Sequence, residues 1–203
     1  MKVIGITGGV GAGKSTVVGI LKKHYETEYL HCDAIAHEIM ERGGSAHEEL
    51  VSLFGTKILH EDGSLNRGKL YEVAFVGGRV AELNACVHPK VREYVEERIG
   101  TLRNAEYAGM VLIEAALLIE AGYKDICDEL WYIHAPLSVR RERLKKNRGY
   151  TEERVEEIIK KQASEELFFS ESDFVLYNDS SEEECEAHIM EQVEKHLKRE
   201  VVR

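Results

Sequence analysis

Four glycines fall within eight residues at Gly8-Gly9-Val10-Gly11-Ala12-Gly13-Lys14-Ser15, between an apolar run, Val3-Ile4-Gly5-Ile6-Thr7, and a segment of helical character, Thr16-Val17-Val18-Gly19-Ile20-Leu21. Gly8, Gly13, Lys14 and Ser15 occupy the fixed positions of G-x-x-x-x-G-K-[ST], and the strand–loop–helix context is the one this pattern requires. No side chain obstructs the backbone of such a loop, so its N–H groups can wrap a polyphosphate. The helix that follows adds the positive end of its dipole. Gly9, Val10, Gly11, Ala12, Gly13, Lys14, Ser15 and Thr16 are therefore the predicted contacts of a nucleoside triphosphate. Lys14 would reach the β- and γ-phosphates and Ser15 would hold Mg²⁺. A phosphate loop of this kind commits the chain to a parallel α/β sheet with helices on its faces.

The remaining features narrow that class. At 203 residues the chain can bury one good core with a small insert. Lys and Arg number 27 against 37 Asp and Glu, a net charge of −10, which argues against a general nucleic-acid binder. Cys32, Cys86, Cys127 and Cys185 are scattered without a C-x-x-C, which suits reduced thiols in the cytosol better than a disulfide framework or a zinc site. The first strand begins almost at Met1, which predicts no signal peptide. The longest apolar stretch, Met110 to Ile119, is broken by Glu114 and is too short for a bilayer. A soluble cytoplasmic protein is expected.

Glu28 to His31 reads as a second strand, and Ala34 to Arg42 as a helix stopped by Gly43-Gly44. Asp33, between them, is either an ordinary helix N-cap or a catalytic carboxylate. Its place just past a strand of an open α/β sheet, in a chain with a phosphate loop, favours catalysis. Residues 45–107 are mostly helical: Ala81 to Val87 packs one helix, and His88-Pro89 begins another that runs to about Arg103. Small-molecule kinases place the acceptor in an excursion at this point; structural padding is the other reading. Met110-Val111-Leu112-Ile113 is a buried central strand ending at Glu114, the acidic position that orders Mg²⁺ or its water shell. A fourth strand covers Glu129 to Ile133 and a fifth Asp173 to Asn178. Between these lies a basic segment, Arg140, Arg141, Arg143, Lys145, Lys146 and Arg148, followed by a helix from Arg154 to Gln162 capped by Thr151. One or two of these six are expected on phosphate, the rest on a solvated face. Cys185, Ile189, Val193 and Leu197 form a terminal apolar stripe that belongs to the core.

Taken in order, these motifs resemble the dephospho-coenzyme A kinases from end to end. The double-glycine loop runs from Thr7 to Thr16, and Cys32-Asp33-Ala34-Ile35-Ala36 follows the second strand. Phe54-Gly55, Asp62-Gly63-Ser64-Leu65-Asn66-Arg67, His88-Pro89, Leu117-Leu118-Ile119-Glu120, Arg143-Leu144, Gln162 and Asn178 complete the likeness. His31 stands where the family carries the first aspartate of D-A-D, and Ala116 where it carries the proline of P-L-L. The resemblance implies a five-stranded parallel sheet with a helical acceptor-binding insert at 34–107 and a helical lid at 139–169. The core would comprise 1–33, 108–138 and 170–203. It also implies ATP-dependent phosphorylation of the ribose 3′-hydroxyl of dephospho-coenzyme A with Mg²⁺. Asp33 would be the base. Arg140, Arg143 and Arg148 would be the lid candidates, and Ser15 and Glu114 the metal positions. Asn178 would lie near the adenine, with Thr7, Asp33, His88, Leu117 and Glu120 on the acceptor. A different small-molecule kinase is the nearest rival. A guanine-nucleotide switch would need an N-K-x-D after a late strand, which this chain lacks.

Overall fold

The computed structural model describes the chain apart from residues 116, 117, 120, 161, 182, 202 and 203, and apart from the side chains of 199–201. Five strands form one sheet: β1 (Lys2–Thr7), β2 (Thr27–His31), β3 (Met110–Glu114), β4 (Glu129–His134) and β5 (Phe174–Tyr177), in the order β2-β3-β1-β4-β5. β1 is central and parallel to both neighbours, with Val3 opposite Val111 on one side and Gly5 opposite Leu130 on the other. β4 runs parallel to β5, with Tyr132 opposite Val175. The expected α/β architecture is realised, and each strand lies within two residues of its predicted span.

This order puts a topological switch at β1, because the chain leaves it toward β2 and β3 on one side and later fills the other with β4 and β5. The carboxyl end of a strand at a switch opens a crevice between diverging connections. Residues 8–13 leave β1 at that end, and Glu114 closes β3 beside it, in register with Ile6.

The chain forms two compact units, residues 1–29 with 108–203, and residues 30–107. In the first, alternate strand residues pack against α1 (Lys14–His24), and the terminal helix (Cys185–Val201) joins the same core. Ile4, Ile6, Leu112, Trp131, Ile133 and Leu176 are buried with Val17, Leu21, Ile189 and Val193. The terminal apolar stripe is therefore core, as its spacing predicts. At the amino end of β4 the buried Glu129 carboxylate accepts from Trp131 Nε1 at 2.5 Å and pairs with Lys2 Nζ at 2.8 Å and His196 Nε2 at 2.9 Å. His196 stacks on Phe174 with ring centroids 4.1 Å apart, so the terminal helix is pinned by packing and hydrogen bonding together.

The second unit holds α2 (Cys32–Met40), α3 (His47–Phe54), α4 (Arg67–Tyr71) and α5 (Val80–Asn104). Arg79 joins its parts: it donates to the Leu53 carbonyl at 3.0 Å and lies over the Phe54 ring, 4.6 Å from its centroid. Lys90 reaches back to Glu49 at 3.1 Å. The predicted break at His88-Pro89 is absent, because α5 is one helix of 25 residues with Pro89 inside it. Leu83, Cys86, Val87, Val91, Val95, Ile99 and Leu102 are buried along it, a stripe that passes Pro89 without a change of face. Continuous burial outweighs one missing backbone bond and a ring clash, a cost of about 3 kcal/mol. Replacing Pro89 by Ala restores the donor to this exposed position. Pro89→Ala is expected to stabilise the protein by about 1–2 kcal/mol, the rest of that cost being offset by a freer unfolded chain. A thermal melt that is unchanged or lowered would show that the helix bears no such cost.

Candidate functional site

The loop after β1 shows how a glycine-rich segment keeps a fixed shape. Gly13 is the N-cap of α1 in left-handed conformation, φ 88°, and the first intrahelical bond runs from the Val17 N–H to its carbonyl at 3.0 Å. The N–H groups of Lys14, Ser15 and Thr16 thus face away from any helical acceptor, as at every helix start. A Cβ at Gly13 would overlap the Asn178 amide and one at Gly9 the Arg140 guanidinium, so close approach favours glycine at both, and at Gly13 the left-handed φ does as well.

Three alternate carbonyls of the loop accept side-chain donors from other parts of the chain. Lys14 Nζ donates to Gly8 O at 2.9 Å, and Arg140 Nε to Val10 O at 3.0 Å. Asn178 Nδ2 donates to Ala12 O at 2.8 Å, joined by Arg143 Nη1 at 3.4 Å. Across a trans peptide the C=O and the next N–H point in opposite directions. Donors on the carbonyls at 8, 10 and 12 therefore also fix the directions of the Gly9, Gly11 and Gly13 N–H groups, as an anion-binding nest requires.

The basic segment divides by contact. Arg140 and Arg143 lie on α6 (Leu137–Arg148), which is tied to α7 (Glu152–Lys160) by Arg141–Glu156 and Lys145–Glu152 ion pairs. Thr151 caps α7 by accepting the Arg154 N–H at 3.3 Å, as its position predicts. Arg140 also donates to Gln162, and burial lowers the pKa of its guanidinium, opposed by Tyr132 and Glu165. Arg148 is exposed at the end of α6.

Glu114 and Lys14 come together at the carboxyl ends of β3 and the loop, with Oε1 3.9 Å from Nζ. The other oxygen accepts the Tyr29 hydroxyl at 2.5 Å. Ser15 and Thr16 are exposed on the first turn of α1, and Thr7 is buried at the end of β1. In the second unit the residue capping α2 is His31, not Asp33, and Asp33 sits in the first turn with its side chain 62% exposed. The His31 ring is 3.9 Å from the Asp33 carboxylate. A role for Asp33 as helix cap is thus removed, while a carboxylate in the first turn is favoured by the helix dipole. His88 is exposed on α5. Leu117 and Glu120, expected on the acceptor, lie outside the described residues.

Sequence reasoning missed Tyr29 and left Gln162 unassigned in the site. Tyr29 belongs to a strand whose pattern says nothing of its hydroxyl partner, and Gln162 is one polar residue among many near a helix end. The contact geometry separates the arginines. Arg140→Ala and Arg143→Ala are each expected to weaken binding of a non-hydrolysable triphosphate analogue about tenfold, the scale of a charged hydrogen bond, and Arg148→Ala less than twofold. Titration calorimetry on the three variants checks this, and equal effects from all three would return the segment to a diffuse basic field.

A family profile described as dephospho-CoA kinase matches residues 2–184. A dephospho-CoA kinase of Moorella thermoacetica is 42% identical over 145 residues, 71% of this chain and 68% of that protein. One from Thermobifida fusca is 36% identical over 189 residues, covering 93% and 92% of the two chains. A crystal structure from Thermus thermophilus superposes with a TM-score of 0.79 at 30% identity, over 98% of this chain and 97% of that one. With loop, strand order and this coverage in agreement, the chain belongs to the dephospho-CoA kinase family.

Proposed function

We propose that the protein transfers the γ-phosphoryl group of ATP to the ribose 3′-hydroxyl of dephospho-coenzyme A, giving coenzyme A and ADP. The observation that carries this reading is the family match across residues 2–184, joined to a loop whose carbonyls at 8, 10 and 12 are held by side-chain donors.

The Gly9, Gly11 and Gly13 amides and the start of α1 bind the phosphates, and Lys14 exchanges the Gly8 carbonyl for a phosphate oxygen. Asp33 orients the acceptor hydroxyl and takes its proton as the ribose oxygen bonds to the γ-phosphorus and the bond to the bridging β,γ-oxygen breaks. A carboxylate suffices because little proton removal is needed early in phosphoryl transfer; its contribution is on the order of 10²–10⁴-fold. Arg140 and Arg143 turn from the loop carbonyls to the phosphoryl oxygens and exclude water there. Arg148, exposed at the end of α6, is the remaining lid candidate. His88 and the helices of 30–107 hold the acceptor, with Thr7 at the end of β1. Leu117 and Glu120 keep their assignment to the acceptor on family likeness alone.

Mg²⁺ fits the residues at the loop. A small hard cation takes one or two protein oxygens and completes its shell with phosphate and water. The exposed Ser15 hydroxyl and the Glu114 carboxylate, one of whose oxygens is fixed by Tyr29, are such donors. When bound, the ion supplies charge neutralisation across the β- and γ-phosphates. No helix among the described residues is long and apolar enough to cross a membrane. The acceptor is a small molecule, the net charge of −10 disfavours nucleic acid, and the reaction belongs in the cytoplasm.

Asp33→Asn keeps size and shape but cannot take a proton. It is expected to lower kcat by roughly 10²-fold or more with ATP affinity and melting temperature near those of the unaltered protein. Steady-state kinetics at saturating acceptor decide, and near-normal turnover in Asp33→Asn would falsify the assignment. His31→Gln is the control, expected to leave kcat within a few-fold.

A further inference from the structure

Among the described residues, the side chains seen on the carbonyls of the phosphate loop include three cations and one neutral amide. Lys14, Arg140 and Arg143 are the charges a bound polyphosphate attracts, and each has a competing partner once phosphate enters. Asn178 is neutral, 1% exposed, and sits at the end of β5 rather than on the lid. Its own backbone is held, since its N–H donates to the His134 carbonyl at 2.8 Å. Its side chain is fixed at both ends: Nδ2 donates to Ala12 O at 2.8 Å, and Oδ1 accepts from Cys185 Sγ at 3.4 Å. The Ala12 carbonyl decides the orientation of the amide, because it can only accept and so requires the NH₂ group, which leaves Oδ1 toward the Cys185 thiol.

We propose that Asn178 is a positioning residue for phosphate binding: by holding the Ala12 carbonyl it aims the Gly13 N–H at the nucleotide and keeps it aimed when Arg143 leaves that carbonyl. Ala12 O and Gly13 N–H share one peptide plane and point in opposite directions, so a donor on the first fixes the second. Gly13, in left-handed conformation, resists rotation of that plane less than any other residue would. Without Asn178, release of Arg143 would strand a carbonyl beneath the loop, and the plane would turn to find another donor. This role, in which the amide holds the loop, is separate from contact with adenine. The inference rests on reading the loop as a nucleotide site, and its test uses ADP alone, with no acceptor.

Asn178→Val removes the donor with a smaller side chain that leaves Gly13 clear. Titration of ADP is expected to show a dissociation constant about tenfold higher, the scale of one lost buried hydrogen bond. In ¹⁵N-resolved spectra, the ADP-induced downfield shift of the Gly13 amide proton is expected to fall by at least half, while those of Gly9 and Gly11 persist. A residue that only fills space would lower the melting temperature without selecting Gly13. Unchanged ADP affinity, or an unaltered Gly13 shift, overturns the proposal. Should Asn178→Val not fold, Asn178→Asp, equal in size and carrying an acceptor in place of the donor at pH 8, is measured and judged identically. If the unaltered protein binds ADP yet phosphorylates no dephospho-coenzyme A, the substrate reading fails while this test still decides the role of Asn178.

Discussion

A segment with four glycines in eight residues has little side-chain packing with which to define its own shape beyond Ala12 in the core, yet phosphate binding needs its N–H groups held in place. The structure meets this demand from outside the loop. Lys14, Arg140, Asn178 and Arg143 each hold a carbonyl, and the peptide planes carry the constraint across to the N–H groups. The sheet exists to deliver those donors: β1 brings the loop to the switch point, β4 leads into α6 with its arginines, and β5 ends at Asn178. Even the glycines are placed by this requirement, since Cβ atoms at Gly9 and Gly13 would occupy the room taken by Arg140 and Asn178.

Charge is distributed to the same end. Within an acidic protein the basic segment on α6 is partly neutralised locally, Arg141 by Glu156 and Lys145 by Glu152. These pairs are exposed and individually contribute little, on the order of 0–1 kcal/mol each. Their value is geometric. They hold α6 against α7 so that Arg140 and Arg143 meet the loop as one surface. Glu114 complements Lys14 from the end of β3, and Tyr29 takes the second oxygen, which leaves the carboxylate one defined direction.

How much of this could be read from the sequence follows from the range of the interactions. β1, the loop and α1 were legible because their signals are local: an apolar run, fixed glycine spacing, then helical periodicity. The Thr151 cap and the terminal stripe at Cys185, Ile189 and Val193 were legible for the same reason. His88-Pro89 misled because proline at a first helical turn is a sound local rule, and only the unbroken burial of Val87, Val91 and Val95 overrules it. Which arginines touch the loop was not legible, since six basic residues in nine positions look alike until α7 engages two of them. Tyr29 and Glu114 are separated by 85 residues, and no spacing rule joins them. For Asp33, the neighbouring residues left two roles open, and the structure removes one by making His31 the residue that caps α2.

The ties on the loop also set an order in time. The loop itself is complete at Ser15, but the donors to its Val10 and Ala12 carbonyls arrive with residues 140, 143 and 178. A ribosome adding about 5–20 residues per second needs on the order of ten seconds or more to cover that interval. Throughout it the glycines sample more conformations than in the finished fold, because two of the three tied carbonyls still lack their donors. The loop gains its last tie only when β5 has taken its place, so the final strand of the sheet completes a site that the first one opened.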